Sequence, residues 1–267
     1  MKRCVIRNEY TKADIGYLFY SEKEDVFTVE ISDETDRINL PLFLSAFKDK
    51  GKYTMNPYWA RRFVQRRIVP RDRQNIGSIL RNAGLKKYDP YRLLILANGK
   101  CCQDECSIKP LSDKKDMESW YIRRKEKYIK SACLLDNEYL LIELNNNSLF
   151  RINLHNYLTD KNEMVLLERP YDLNNFKVIP NGLGIMWDED ISLMAEDIKE
   201  EDKEKDISGK DLERYMETNI LTTADVCKEL DCTRQYLNSL VQSGRIKVFR
   251  KSGNNSLFLK SELINLK

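Results

Sequence analysis

The chain has 267 residues, enough for two or three domains of ordinary size. Hydrophobic residues make up 42% and charged residues 33%, which excludes a disordered or fibrous chain. The net charge is +3, and the one histidine, His155, excludes most histidine-dependent triads and multi-histidine zinc sites. No apolar run is long enough to cross a membrane, and lysine and arginine follow the first methionine at once. We therefore expect a soluble protein whose seven cysteines stay reduced in the bacterial cytoplasm.

Residues 1–112 predict an α+β domain. Short apolar runs predict strands at residues 4–6, 16–20 and 26–31, and helices are predicted at 57–68, at 72–83 and from residue 90 to Gly99. Asn56 before Pro57 and Asp89 before Pro90 are typical of helix starts, because a capping side chain is followed by a residue whose N–H the helix does not need. Segments 6–10, 14–20 and 67–75 resemble uncharacterised helix-turn-helix proteins of anaerobic bacteria, a resemblance that implies no activity.

The first two predicted helices carry the densest basic patch of the chain. Its members are Arg61, Arg62, Arg66, Arg67, Arg71 and Arg73. On the first helix these arginines lie beside Trp59 and Phe63, so this secondary basic face could contact phosphates, nucleic acid or an acidic partner. The alternative is that they form salt bridges within the domain, to Asp14, Asp33, Asp36 or Asp72.

Three cysteines lie close together at positions 101, 102 and 106, and Cys4 could be a fourth ligand of a metal. Their spacing is not that of a zinc knuckle and no second pair is near, so the prediction is no metal and no cofactor. Redox sensing by Cys101, Cys102 or Cys106 stays an open alternative, although Asp104 and Glu105 would disfavour a thiolate.

Residues 118–198 predict a small β-rich α+β domain. Alternation predicts a hairpin of 140–144 with 150–154, a third strand in 177–179 and 184–187, and a short closing helix over 188–197. Acids 188–190 beside Trp187 could bind a divalent cation, but a helix start also attracts acids through its dipole, and we favour that interpretation. For His155, which has no second ligand nearby, we favour a surface role. The region resembles a small bacterial α+β domain of unknown function that also occurs joined to DNA-binding domains.

Charge is segregated along the chain, although the total is small. Residues 188–206 hold ten acidic and three basic side chains, whereas residues 1–112 hold 21 basic and 14 acidic ones. Residues 195–206 cannot bury an apolar face, so we predict an acidic linker over 199–212, or an exposed helix, that separates the middle domain from a basic domain over 213–267.

The last 55 residues predict two short helices followed by a hairpin. Thr222 is a good cap for a helix over 223–230, and Thr233 for a second helix that ends near Gly244. The hairpin is expected to have strands 245–250 and 256–260, a basic tip, and a final helical turn after it. This order is the plan of a winged helix-turn-helix, in which the second helix enters the major groove and the wing meets phosphates or the minor groove.

The same stretch resembles the excisionase and MerR-type helix-turn-helix family over almost all of residues 219–266. The matching segments are 221–222, 226–230, 233–240, 243–246 and 260–263. The second wing strand departs from the family, which often has arginine there. The resemblance implies a DNA-binding domain, and the predicted fold class is multidomain α+β with a C-terminal winged helix-turn-helix.

The predicted function is sequence-specific binding of double-stranded DNA, by a transcriptional regulator or a mobile-element factor. The predicted contacts are Thr233, Arg234, Gln235, Tyr236, Asn238, Arg245, Lys247, Arg250, Lys251, Asn254 and Lys260. A homodimer, a protein partner at the N-terminal or middle domain, and a location on the nucleoid are further expectations. The alternative is a protein-interaction adaptor of a phage, conjugative or defence system. No catalytic residue is predicted, because the chain lacks a glycine-rich phosphate loop, a nucleophile elbow and a paired metal motif.

Overall fold

The computed structural model describes residues 1–112, 117–136, 138–159, 165–188, 190–253 and 255–264. The chain divides into two compact units, Met1–Arg123 and Arg124–Lys267. Helices and antiparallel sheets occur in both units, so the predicted α+β class is confirmed.

The first unit is built on a five-stranded antiparallel sheet. Its strands are β1 (Lys2–Asn8), β2 (Asp14–Ser21), β3 (Val26–Ile31), β4 (Thr54–Met55) and β5 (Cys106–Pro110), in the order β4-β3-β2-β1-β5. The three predicted strands are confirmed. The edge strand β5 was not predicted, because it forms by pairing with β1, about a hundred residues earlier in the chain.

Short helices follow the sheet strands. They are α1 (Leu42–Lys48), α2 (Pro57–Gln65), α3 (Ile76–Asn82) and α4 (Pro90–Leu96). The predicted caps are confirmed: the Asn56 side chain accepts the Trp59 N–H at 3.0 Å, and the Asp89 side chain accepts the Arg92 N–H at 2.9 Å. Both α2 and α3 are shorter than the sequence predicts.

Both faces of this sheet are covered. One face packs β-strand side chains such as Leu18 and Val29 against the helices. On the other face, Trp120 and Tyr121 of α5 (Ser119–Lys125) stack on Tyr17 and Phe19, with ring centroids 5.2 and 5.7 Å apart. The first unit therefore extends to residue 123 and not, as predicted, to residue 112.

The second unit begins with an antiparallel sheet of β6 (Ile129–Leu134), β7 (Tyr139–Leu144) and β8 (Leu149–Asn153). The predicted hairpin is the pair β7 and β8. After helix α6 (Pro170–Asn174), a second sheet has the order β11-β10-β9, from β9 (Lys177–Val178), β10 (Gly184–Met186) and β11 (Ser192–Met194). The predicted helix over 188–197 is wrong, because residues 192–194 pair with β10, a contact that local sequence does not reveal.

The acidic segment is attached to the middle sheet. Glu204 and Arg151 exchange both backbone N–H···O hydrogen bonds at 2.9 Å, and the Arg151 Nε lies 2.7 Å from the Glu204 carboxylate. Helix α7 (Gly209–Asn219) then starts inside the predicted linker, with Ser208 and Asp211 forming a capping box. Acidic side chains that would be solvated in a free linker thus find cationic and backbone partners in the structure.

The end of the chain forms a small group of helices with its own sheet. Its elements are β12 (Ile220–Thr222), α8 (Thr223–Glu229), α9 (Arg234–Gln242), β13 (Arg250–Ser252), β14 (Asn255–Leu259) and α10 (Ser261–Ile264), with the sheet order β12-β14-β13. Six buried apolar residues form its core: Val226, Leu237, Leu240, Ile246, Phe258 and Leu263.

Candidate nucleic-acid interface

Helix α8 starts at a reciprocal cap. The Asp225 N–H donates to the Thr222 hydroxyl at 3.3 Å, and the Asp225 carboxylate accepts the Thr222 N–H at 2.9 Å. The Thr222 hydroxyl also donates to the Asp225 carboxylate at 2.6 Å, and this hydrogen bond, with the one from the Thr222 N–H, holds the pKa of the Asp225 carboxyl below its ordinary value. The predicted cap at Thr222 is confirmed, and it fixes where the helix pair begins.

A tight turn joins α8 to α9. Asp231 adopts a left-handed conformation with φ 49°, and the Cys232 N–H donates to the Cys227 carbonyl at 2.9 Å. Thr233 then caps α9 by accepting the Tyr236 N–H at 3.2 Å, and Gly244 follows the helix with φ 72°, as its sequence position predicts.

One side of α9 is buried and the other is exposed. Leu237 and Leu240 lie in the core, whereas the side chains of the first two turns are in solvent: Arg234, Gln235, Tyr236 and Asn238. Tyr236 is 52% exposed. Within the described residues no ion pair or side-chain hydrogen bond engages these four side chains, so the donors and acceptors needed for base edges are available.

The hairpin after α9 differs from its prediction at the first strand. The N–H groups of Arg245 and Ile246 both donate to the Leu240 carbonyl, at 2.9 and 3.3 Å, and the Ile246 side chain is in the core. These groups close the end of α9 and cannot pair in a sheet. Pairing starts with the Phe249 N–H, which donates to the Leu257 carbonyl at 2.9 Å, so residues 245–248 are not strand.

Exposed basic side chains nevertheless lie on the connection and near the hairpin tip. They are Arg245, Lys247, Arg250 and Lys251. In β13, Arg250 is opposite Leu257 and Lys251 is opposite Ser256, and Gly253 turns the chain with φ 56°. Asn254, also predicted as a contact, lies outside the described residues.

Lys260 stands apart from this tip. It follows β14 at the end away from the turn, it is half-buried, and its N–H donates to the Asn219 carbonyl at 2.8 Å. Burial raises the pKa of the Cys133 thiol to about 11, and the charges of Arg214 and Lys260 oppose that shift. Lys260 thus lies beside the last residue of α7 and away from the hairpin tip, which does not favour the predicted phosphate contact.

Phe249 is a surface residue that the sequence analysis did not select. Its side chain is 54% exposed and lies between Lys247 and Arg250 in the chain. Apolar side chains next to basic ones can insert between base steps or pack on sugars in the minor groove. The sequence signal was an aromatic residue inside a basic run, in the segment 245–250 that was predicted only as a strand.

The C-terminal helices are held to the middle sheet by a cluster around Glu143. Its carboxylate accepts hydrogen bonds from the Lys130 ammonium at 2.6 Å, the Ser131 hydroxyl at 2.9 Å and the Tyr215 hydroxyl of α7. Burial raises the pKa of Glu143, but these hydrogen bonds outweigh it and hold the pKa below its ordinary value. Burial and the hydrogen bond to Glu143 raise the pKa of Tyr215. The helix pair is therefore anchored to a folded sheet.

In the first unit, the six predicted arginines separate into two groups. Arg61 lies 3.5 Å from the Asp25 carboxylate, and Arg67 is buried with its Nη2 2.5 Å from the Asp104 carboxylate. The sequence had predicted Asp14, Asp33, Asp36 or Asp72 as the partners of these arginines. The acids that pair with Arg61 and Arg67 are different ones. The remaining members are exposed and make no ion pair within the described residues: Arg62, Arg66, Arg71 and Arg73.

The other candidate chemistry from the sequence is not assembled into a site. Burial raises the pKa of the Cys4 thiol to about 11 and that of Cys106 to about 12, so both are protonated at neutral pH. Across the described ranges, histidine, cysteine and acidic side chains form no cluster that could hold a metal ion. Glu189 of the acid run 188–190 lies outside those ranges, and His155 is exposed.

Comparison of the chain with protein-family models, with curated proteins and with solved structures finds no match. In the part of the chain that the structure describes, every helix is too short or too polar to span a bilayer.

Proposed function

We propose that the protein is a sequence-specific DNA-binding protein whose residues 213–267 act as a winged helix-turn-helix. The observation that carries this proposal is α9 itself: its apolar side is buried, and Arg234, Gln235 and Asn238 lie on the exposed side of its first two turns, with no side-chain partner among the described residues. A helix of this kind fits the major groove with its N-terminal side chains at base edges.

The exposed side chains suit direct reading of bases. The Arg234 guanidinium can donate two hydrogen bonds to guanine O6 and N7, and the Gln235 amide can pair with adenine N6 and N7. Asn238, one turn further along α9, reaches an adjacent base or a phosphate. Tyr236 offers a ring and a hydroxyl at the same surface.

Phosphate contacts would come from the cap and the hairpin. Thr233 lies at the N-terminus of α9, where the helix dipole attracts an anion. Lys247, Arg250 and Lys251 add positive charge on the connection and at the tip, and Arg245 adds to it. Phe249 between them would enter the minor groove beside the wing.

In this proposal the protein is a transcriptional regulator or an excisionase-like factor of a mobile element, acting at the bacterial nucleoid. Its ligand is double-stranded DNA, and a homodimer would read two half-sites one helical turn apart. No catalytic step and no cofactor are part of the proposal.

Selection of bound fragments from a random duplex pool tests it most directly. The full chain is used, because α7 and Tyr215 tie the helix pair to the middle sheet. We expect enrichment of a defined motif, with affinity that falls as salt rises. Absence of enrichment and of salt-dependent duplex binding at low ionic strength would overturn the proposal, and a stoichiometric protein partner captured instead would favour the adaptor.

A further inference from the structure

Helices α1 and α2 bring together a layer of aromatic rings in the first unit. Phe43 stacks on Phe63 with centroids 5.9 Å apart, and Trp59 lies against both Phe43, at 6.2 Å, and Phe47, at 6.0 Å. Tyr58 meets Trp59 edge-on at 5.1 Å. Each ring is thus held by at least one other, and Trp59 is inclined by 59°, 75° and 81° to its three neighbours, so the layer is preformed but not flat.

Arg62 of α2 and Arg66, the residue that follows α2, lie on these rings. The Arg66 guanidinium is 4.5 Å from the centroid of Phe43, and that of Arg62 is 5.2 Å from the centroid of Tyr58, whose hydroxyl it also donates to at 3.1 Å. Both side chains are exposed, and no carboxylate in the described part of the chain pairs with either. Their positive charge is therefore held in place by aromatic faces and is available to a ligand.

Trp59 is the outermost ring of this layer. It is 43% exposed, which is unusual for so large an apolar side chain, and no protein acceptor for its indole N–H occurs among the described residues. The neighbouring arginines, Arg61 and Arg67, are occupied by Asp25 and Asp104. Arg62 is on the same side of α2 as the exposed ring, since positions 59 and 62 are three apart, and Arg66 follows directly after the helix.

We propose that this aromatic–arginine face, formed by Phe43, Tyr58, Trp59, Arg62 and Arg66, binds single-stranded nucleic acid. An unpaired base can stack on Trp59, while the two guanidinium groups meet the phosphates on either side of it. A duplex hides the faces of its bases, and an acidic peptide has charges but no row of planar rings. The site lies in the first unit, so it does not depend on the proposed duplex contacts of α9.

The test is binding of a fluorescently labelled 20-nucleotide single strand of mixed sequence, as DNA and as RNA, to the full chain carrying Arg234→Ala and Lys251→Ala. This double variant lacks two of the proposed duplex contacts. A loss of single-strand binding can therefore be distinguished from a failure of the duplex proposal. We expect salt-dependent binding that unlabelled duplex displaces poorly.

Substitutions of Trp59 separate stacking from simple apolar contact. Trp59→Ala and Trp59→Leu should each weaken binding by roughly 5- to 150-fold, the range for loss of one stacked base, whereas Trp59→Phe should keep most of the affinity. Trp59 fluorescence should also be quenched on binding. The chain has two further tryptophans, Trp120 and Trp187, so the quenching assigned to Trp59 is the part that is lost in Trp59→Phe.

The arginines are tested by the salt slope. Arg62→Ala and Arg66→Ala should each reduce the slope of log K against log salt by about 0.7. Arg81→Ala is the matched control, because it removes one exposed charge from α3 without touching a ring. If the tryptophan variants melt early, these exposed arginine variants decide the result.

Three outcomes would overturn the proposal. The full chain could fail to bind either single strand at 50 mM salt, or Trp59→Leu and both arginine variants could bind like their parent. The third outcome is that a glutamate-rich peptide with one phenylalanine, at the same concentration as the strand, displaces it, while Trp59→Leu binds the strand as tightly as its parent. That result assigns the face to an acidic protein.

Discussion

Helices α2 and α9 are alike in construction and differ in what surrounds their arginines. Each has nine residues, each starts at a polar side-chain cap, and each buries one apolar side. At α2, Arg62 and the following residue Arg66 lie over aromatic rings near the C-terminal end. On α9, Arg234 lies in the first turn beside Gln235, and no ring in the described part of the chain is stacked on it.

The difference indicates that positive charge alone does not define a ligand. In the two proposals, the guanidinium groups on rings would meet stacked bases and their phosphates, whereas the one at the N-terminus of α9 would meet base edges in a groove. The two helices are also anchored differently, α2 through Arg67 and Asp104, and the C-terminal helices through Tyr215 and Glu143. Four substitutions test these distinctions.

The largest effect is expected at the anchor of α2. Arg67 has a side chain that is 2% exposed and donates to Gly99, Cys101 and Asp104. Arg67→Ala leaves the Asp104 carboxylate without its buried partner and should lower the free energy of unfolding by about 3–5 kcal/mol. Urea denaturation measures this loss.

Arg66→Ala is the control for that experiment, since it removes a neighbouring exposed arginine and should change stability by about 0.5 kcal/mol or less. Equal effects of the two substitutions would mean that Arg67 is not a structural residue and belongs with the surface arginines.

The second effect is expected at the exposed side of α9. Arg234→Ala should cost about 1–3 kcal/mol at the preferred duplex and relax preference at one base pair, because the proposed bidentate contact to guanine would be lost. Competition binding with single-base variants of the site measures both. A uniform loss across all variants would show that Arg234 contacts phosphate instead.

Local features of the sequence were sufficient to predict the caps at Asn56, Asp89, Thr222 and Thr233, because capping involves residues three apart. The hairpin of β7 and β8 was equally local. What the sequence could not reveal depends on partners far along the chain: β5 with β1, and Trp120 on Tyr17. These pairings are set by packing and not by propensity.

The third effect is expected at the anchor of the C-terminal helices. Glu143→Gln should destabilise the second unit by about 1–2 kcal/mol near neutral pH, since charge-assisted hydrogen bonds to Lys130 and Tyr215 weaken. The pKa of Glu143 is lower in the folded than in the unfolded chain, so its contribution is present above the ordinary value of 4.5 and is lost on further acidification.

Thermal unfolding of both proteins between pH 7 and pH 3 checks this expectation. The difference in stability should shrink as the pH falls below about 4.5. A difference that stays constant over this range would exclude the carboxylate charge as its source.

The smallest effect is expected at the hairpin tip. Lys251→Ala should weaken all duplexes alike by less than about 1 kcal/mol and reduce the salt slope by about one unit, as for a single phosphate contact. Titrations at several salt concentrations measure the slope. Lys260→Ala is the comparison and should leave the slope unchanged, because Lys260 lies at the other end of β14.

In the candidate site, too, features set by neighbouring residues could be predicted from the sequence, and contacts between distant residues could not. Helix periodicity was sufficient to place Arg234, Gln235 and Asn238 opposite Leu237 and Leu240. It could not show which arginines of the first unit are free, because Asp25 and Asp104 reach Arg61 and Arg67 only through the fold. Nor could periodicity show that the Ile246 N–H bonds to the Leu240 carbonyl at the end of α9. Because of this bond, residues 245–248 are not part of the wing strand.

The helix α5 has a practical consequence for anyone who divides this chain. A fragment that ends at residue 112 would lack Trp120 and Tyr121, and the rings of Tyr17 and Phe19 would face water across the middle of a twisted sheet. An uncovered aromatic sheet face promotes self-association, so such a fragment would aggregate on expression. A cut after residue 125 keeps the cover and is the place to separate the two halves of the gene product.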